Sequence, residues 1–145
     1  MKTYARTFIA LAGFAFIVTA AVANAQTSTD TISKVPFAFN VGAAQMPGDT
    51  YRVARIGGHT DVFMISSLRR SVILLGQPDG RNTDESPRLV FHKYGDQYFL
   101  REFWTGGSRG FSLPVTRQER QAEERIAGRS SPERIVVLAD AKEGR

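Results

Sequence analysis

From Val35 onward the apolar residues of this chain recur with a period of two. Val35, Phe37, Phe39 and Val41 alternate with Pro36, Ala38 and Asn40, the pattern of a strand with one strongly apolar face. Pro36 suits a strand start or an exposed edge, because it has no N–H to give to a neighbour. Met46-Pro47-Gly48-Asp49 is turn chemistry, with the proline fixing φ and the glycine free to take a positive one. A second strand is predicted over 50–56, and Gly57-Gly58-His59 turns it into a third over 61–66. Residues 71–76 form a short continuous apolar run, which reads as a strand buried on both faces. The polar stretch 77–87 that follows is predicted to be a surface loop.

Residues 88–94 and 97–104 flank Gly95-Asp96, a two-residue connection that closes a tight hairpin. With Tyr94 opposite Gln97, the residues Leu89, Phe91, Tyr98, Leu100 and Trp104 share one face, and Val90, His92, Tyr94, Phe99 and Phe103 share the other. Both faces carry large apolar groups, so both need cover. That requirement predicts a mainly β fold, an antiparallel curled sheet, sandwich or partial barrel. One C-terminal α-helix is predicted over 116–127, opened by the capping-box pattern Thr116-Arg117-Gln118-Glu119 and bracketed by Pro114 and Gly128. Its apolar stripe is Val115, Ala122 and Ile126, so most of the helix is expected to face water. Ser131-Pro132 resets the chain, residues 134–139 read as a last strand, and 141–145 are expected to fray.

The first 25 residues change the picture. Lys2 and Arg6 precede an apolar run over 8–18, and Ala23-Asn24-Ala25 is a small-x-small site before Gln26. This is the layout of a secretory signal, 1–25, cleaved after Ala25. An uncleaved anchor is the competing reading, but the apolar stretch 8–23 is shorter than the about 20 residues that a spanning helix needs. Cleavage leaves 120 of the 145 residues: a polar lead over 26–33, expected to be disordered, and one domain over 34–140. The chain is thus expected to leave by the Sec route for the periplasm or the cell exterior, and not to be integral in the membrane afterwards. An outer-membrane barrel is disfavoured, because an even set of about ten-residue lipid-facing strands is missing.

The chain contains no cysteine, which removes disulfides, thiolate metal sites, a cysteine nucleophile and a lipid-modified cysteine together. The formal charge of +5 falls to +3 without Lys2 and Arg6. Acids are mixed with the bases, as in Glu123-Glu124-Arg125, whereas a nucleic-acid binder shows a concentrated basic stripe. The two histidines, His59 and His92, have no HxH, HxxE or HExxH spacing, so no metal and no cofactor is expected. No GxSxG or SxxK marks an activated serine, and the run Gly106-Gly107-Ser108-Arg109-Gly110 lacks the lysine of a phosphate loop. Glu102 is the one mid-strand acid with aromatic neighbours.

The richer surface is arginine and aromatic: Tyr94, Tyr98, Phe103 and Trp104 with Arg88, Arg101 and Arg109. Such side chains stack on sugars and peptides and are enriched at interfaces, although aromatics also build cores. Trp104, beside the glycine run, is expected to be the most exposed of them. The reading is an exported, non-enzymatic binding or structural domain, with Tyr94, Tyr98, Trp104, Arg101 and Arg109 as ligand-binding residues. Its partner would be a protein, a peptide or a polysaccharide; the oligomeric state stays open. The alternative is a small periplasmic hydrolase using His92 with Glu102 or Asp96.

Four segments together, VPFAFNVG at 35–42, MPGDTYRV at 46–53, VFHKYGDQYFL at 90–100, and Leu113 through the Arg/Glu-rich helix, resemble a family of small exported bacterial proteins of unknown function. The resemblance covers most of 35–127, and VFHKYGDQYFL is its most specific part. It implies an exported β-rich domain and carries over no site residues.

Overall fold

The structure, a computed structural model, describes residues 29–80, 86–105, 109–127 and 131–143. It is mainly β with one helix: an antiparallel sheet packed against a curled, half-barrel sheet. The first sheet has the order β12-β1-β4-β5-β6, built from β1 (Thr29–Val35), β4 (Asp49–Arg55), β5 (Val62–Ser66), β6 (Ser71–Leu75) and β12 (Asp140–Glu143). The second has the order β11-β8-β9-β10-β7, from β7 (Gln77–Pro78), β8 (Arg88–Tyr94), β9 (Gln97–Thr105), β10 (Arg109–Ser112) and β11 (Glu133–Leu138). β2 (Phe39–Val41) pairs with β3 (Ala44–Met46) and runs parallel to β9 at Asn40 and Phe99.

Alternation builds the core. Tyr51 and Val53 of β4, Phe63 and Ile65 of β5 and Leu74 of β6 point inward, against Phe39, Leu89, Phe91, Leu100, Phe103 and Phe111 of the curled sheet. Phe63 meets Phe103 and Phe111 edge-on, with ring centroids 4.7 and 4.5 Å apart, a favoured aromatic geometry. The expected strand over 35–41 is divided: β1 ends at Val35 in one sheet, and β2 resumes at Phe39 in the other. Pro36, at the break, could not have continued the ladder as a donor.

Three expectations are corrected. The polar lead is β-strand from Thr29, and Asp30, Thr31 and Ser33 are buried; residues 26–28 and the signal segment lie outside the described residues. TDTISKV lacks an apolar alternation because Thr31 and Ser33 fill its inward face, where Ser33 Oγ donates to the Leu138 carbonyl at 3.0 Å, while on the other face Arg52 Nε donates to Asp30 at 2.8 Å. As far as Glu143 the tail expected to fray is instead β12, which pairs with β1 from Ile32↔Asp140 to Thr29↔Glu143; residues 144–145 lie outside the described residues. The run at 71–76 is covered on one face only, since Ile73 and Leu75 are 67% and 65% exposed.

The hairpin closes as expected, with Gly95 at φ 61° and Tyr94 opposite Gln97. Its register then shifts: Phe91 pairs with Leu100 but Val90 pairs with Glu102, which leaves Arg101 as the extra residue of a β-bulge. One inserted residue moves every later side chain to the other face. Phe103 therefore joins Leu89 in the core, and Trp104 lies on the outer face beside Arg88, the reverse of the alternation expected from an unbroken strand. The Arg101 carbonyl, freed from the β8 ladder, accepts from Leu113 N–H at 2.7 Å.

Helix α1 (Arg117–Ile126) packs on that outer face. Thr116 Oγ1 accepts from Glu119 N–H at 3.1 Å, which supplies the predicted N-cap. Ala122 and Ile126 meet Tyr94 and Phe99, whereas Val115 is exposed and drops out of the expected stripe. No helix among the described residues is long and apolar enough to cross a membrane.

Candidate functional site

The junction of α1 with the β8–β9 hairpin brings four ionisable groups together. Glu119, in the first turn of α1, turns its carboxylate inward and is only 2% exposed. Tyr94 Oη donates to Glu119 Oε1 at 3.2 Å and Arg101 Nη1 donates to Oε2 at 3.3 Å. His92 Nδ1 stands 3.8 Å from Oε1. The bulge is what aims Arg101 at the helix: without the extra residue, its position would fall to a residue paired with β8.

Electrostatics follow from this enclosure. Burial, together with the neighbouring Glu119 carboxylate, pushes the Tyr94 phenol up to about 12, so it serves as a donor throughout the neutral range. Burial lowers the His92 imidazole below its ordinary value, with Arg101 and Arg134 acting the same way and Glu119 and Glu102 opposing them. A neutral imidazole beside a carboxylate could accept or donate a proton. Its carboxylate neighbour is Glu119, whereas Glu102 stands 3.5 Å from Arg134 and Asp96 lies in the hairpin turn.

The arginine-aromatic set does not form one exposed platform. Trp104, expected to be the most exposed, is 2% exposed. The bulge puts it on the outer face, where the Arg88 guanidinium lies 4.5 Å from the ring centroid and Gly110 backs against the indole. Tyr94 is buried beneath α1, Arg101 is held by Glu119, and Phe103 is core. Tyr98 is half-buried and stacks on Phe37, with centroids 4.0 Å apart and planes at 17°. Arg109 is exposed at the start of β10. Gly106, Gly107 and Ser108 lie outside the described residues.

A cleft of about 450 Å³ opens between α1, the β2–β3 hairpin and the β8–β9 turn. Asn40, Gln45, Gln97, Gln118 and Gln121 bring five carboxamides to it, with Asp96, Arg125 and Tyr98 beside them. Asn40 Nδ2 donates to the Tyr98 carbonyl at 3.3 Å, which holds that amide in place. A second, more open cleft meets it at Ala38 and Gln45 and runs on to Pro47, Arg69 and Arg70. Of the residues lining the first cleft, sequence reasoning named Tyr98 as a binding residue and Asp96 only as a hydrolase partner. The glutamines of α1 read as a solvated helix face, and nothing in the helical period could tell a cleft wall from that. Among the described residues, no group of three or more His, Asp or Glu is placed to hold a metal ion. No protein-family model, curated protein or solved structure matches the chain.

Proposed function

We propose that this protein is an exported, non-enzymatic binding domain whose cleft beside α1 takes a short segment of a neutral polysaccharide. The observation that carries the reading is the convergence of Asn40, Gln45, Gln97, Gln118 and Gln121 on one concavity. A carboxamide offers both donors and acceptors, the complement of neighbouring sugar hydroxyls, and Asp96 and Arg125 leave the rim without a net charge to select an ionic ligand. The volume falls within the range of small-molecule sites. Tyr98 contributes the carbonyl that holds the Asn40 amide at 3.3 Å, its ring being stacked on Phe37. Export rests on the basic, apolar and small-residue layout of 1–25.

The test is amide NMR of the isotope-labelled protein titrated with a panel of neutral oligosaccharides, including chito-, cello- and malto-tetraoses. Saturable shifts should fall on the side-chain amides of Gln97, Gln118 and Gln121, and a Gln118→Ala/Gln121→Ala variant should weaken binding about tenfold, the loss of two or so modest hydrogen bonds. Silence across the panel, or binding that the double variant leaves unchanged, overturns the reading.

A further inference from the structure

The free edge of the first sheet carries a second kind of surface. β6 ends that sheet, and among the described residues no strand lies beyond it. Two backbone bonds fix the direction of its polar groups: Ser67 N–H donates to Arg70 O, and Gly76 N–H donates to Asp61 O, both at 2.8 Å. Bonded and non-bonded pairs alternate along an antiparallel ladder. With the β5–β6 register running from Ser66↔Ser71 to Val62↔Leu75, Val72 and Leu74 therefore bond to β5, while Ser71, Ile73 and Leu75 turn their N–H and C=O outward.

Those same residues place their side chains in solvent. Ile73 lies beside Met64 and Leu75 beside Val62, and Leu68 in the preceding turn is fully exposed. Natural edges are protected by charge, proline or a bulge, and SVILL has none of these. Charge is instead gathered at its two ends, with Arg69 and Arg70 before the strand and Asp61 and Asp79 at the other end.

We propose that β6 is a self-association edge, on which a second copy of this chain lays its own β6 antiparallel across a two-fold axis at Ile73. In that register Ile73 faces Ile73 of the other copy and Ser71 faces Leu75. The three outward residues of each copy then satisfy one another in an isologous contact. The two-fold also brings the Arg69–Arg70 end of each strand to the Asp61 end of the other, a match that parallel addition lacks. Leu68, Ile73 and Leu75 offer roughly 400 Å² per copy, about half the ~800 Å² per partner of a standard interface. The main-chain ladder supplies the remainder, so the dimer is weak and dilution dissociates it.

Because the chain has no cysteine, single substitutions report the geometry directly. On the axis, Ile73→Cys brings two Cα atoms to about 5.5 Å, within disulfide reach. Ser71→Cys leaves them about four residues out of step, roughly 14 Å apart. Mild oxidation of the purified variants at 200 μM should cross-link Ile73→Cys at least tenfold faster than Ser71→Cys. Sedimentation velocity of the unsubstituted protein from 5 to 500 μM should show a monomer passing to a dimer. Ile73→Pro, which removes an outward N–H and no bond to β5, should stay monomeric with unchanged circular dichroism. Equal cross-linking of the two cysteine variants, a monomer at 500 μM, or a dimer that survives Ile73→Pro in a folded protein overturns the proposal.

Discussion

Replacing Glu119 with alanine removes a carboxylate that is 2% exposed and leaves Arg101, whose side chain is 17% exposed, and Tyr94 without their acceptor. Breaking a buried ion pair from one side costs about 3–5 kcal/mol, and the residual hydration of Arg101 puts this case at the lower end. The N-cap survives, because the Thr116 bond goes to the Glu119 backbone N–H, and alanine returns a few tenths of a kcal/mol in helix propensity. A net loss of about 3 kcal/mol follows, and with a urea m-value of about 1.5 kcal/mol/M the midpoint falls by about 2 M. The assay is equilibrium urea unfolding followed by far-UV circular dichroism and by the fluorescence of Trp104, the single tryptophan. Arg101→Met and the double variant complete a cycle in which the coupling should reach at least about 1.5 kcal/mol. A loss below about 0.5 kcal/mol at unchanged m, or strict additivity of the two substitutions, would refute the buried clasp between α1 and the hairpin.

Two further outcomes follow from the same outer face. The Tyr94 phenol is raised from its ordinary 10 to about 12. The unfolded chain therefore loses this proton first, and stability present below pH 10 is lost as the pH climbs from about 10 to 12. Tyr94→Phe should flatten that part of the alkaline denaturation profile, leaving the smaller contribution of Tyr51, which is also raised by burial; an unchanged slope in the variant would contradict the assignment. Gly110→Ala should destabilise the protein by about 1–3 kcal/mol, as overpacking does, because a Cβ there would sit 2.6 Å from the Trp104 ring. Thermal unfolding checks it, and an unchanged Tm would mean that the indole can move aside.

The features legible in the sequence are those written in a local period. The hairpin at Gly95-Asp96, the inward faces of β4 and β5 and the cap at Thr116 all follow from alternation or turn chemistry within a few residues. What escaped depends on partners far along the chain. β1 looks like a polar lead until Arg52 and Leu138 are brought to Asp30 and Ser33. The bulge at Arg101 leaves no sign in the residue pattern, yet it decides that Phe103 is core and Trp104 is not in the same layer. The apolar run of β6 could not reveal that it stands at a sheet edge, since neighbour number is a property of topology rather than of composition. Glu119 was visible as a capping residue, but the inward turn of its side chain required the unseen Arg101.

The pairing of β1 with both β4 and β12 sets the order in which this chain can fold. Ser33 of β1 and Leu138, at the end of β11 just before β12, are 105 residues apart, and closing so long a loop costs roughly 4 kcal/mol in chain entropy before any contact repays it. The β8–β9 hairpin needs almost no such search, so it can form while the rest is still unstructured. The first sheet has to wait for the last strand. A chain held in a ribosome or a narrow pore with β12 still inside would keep one edge of β1 open, and the first sheet would be complete only once that strand had emerged.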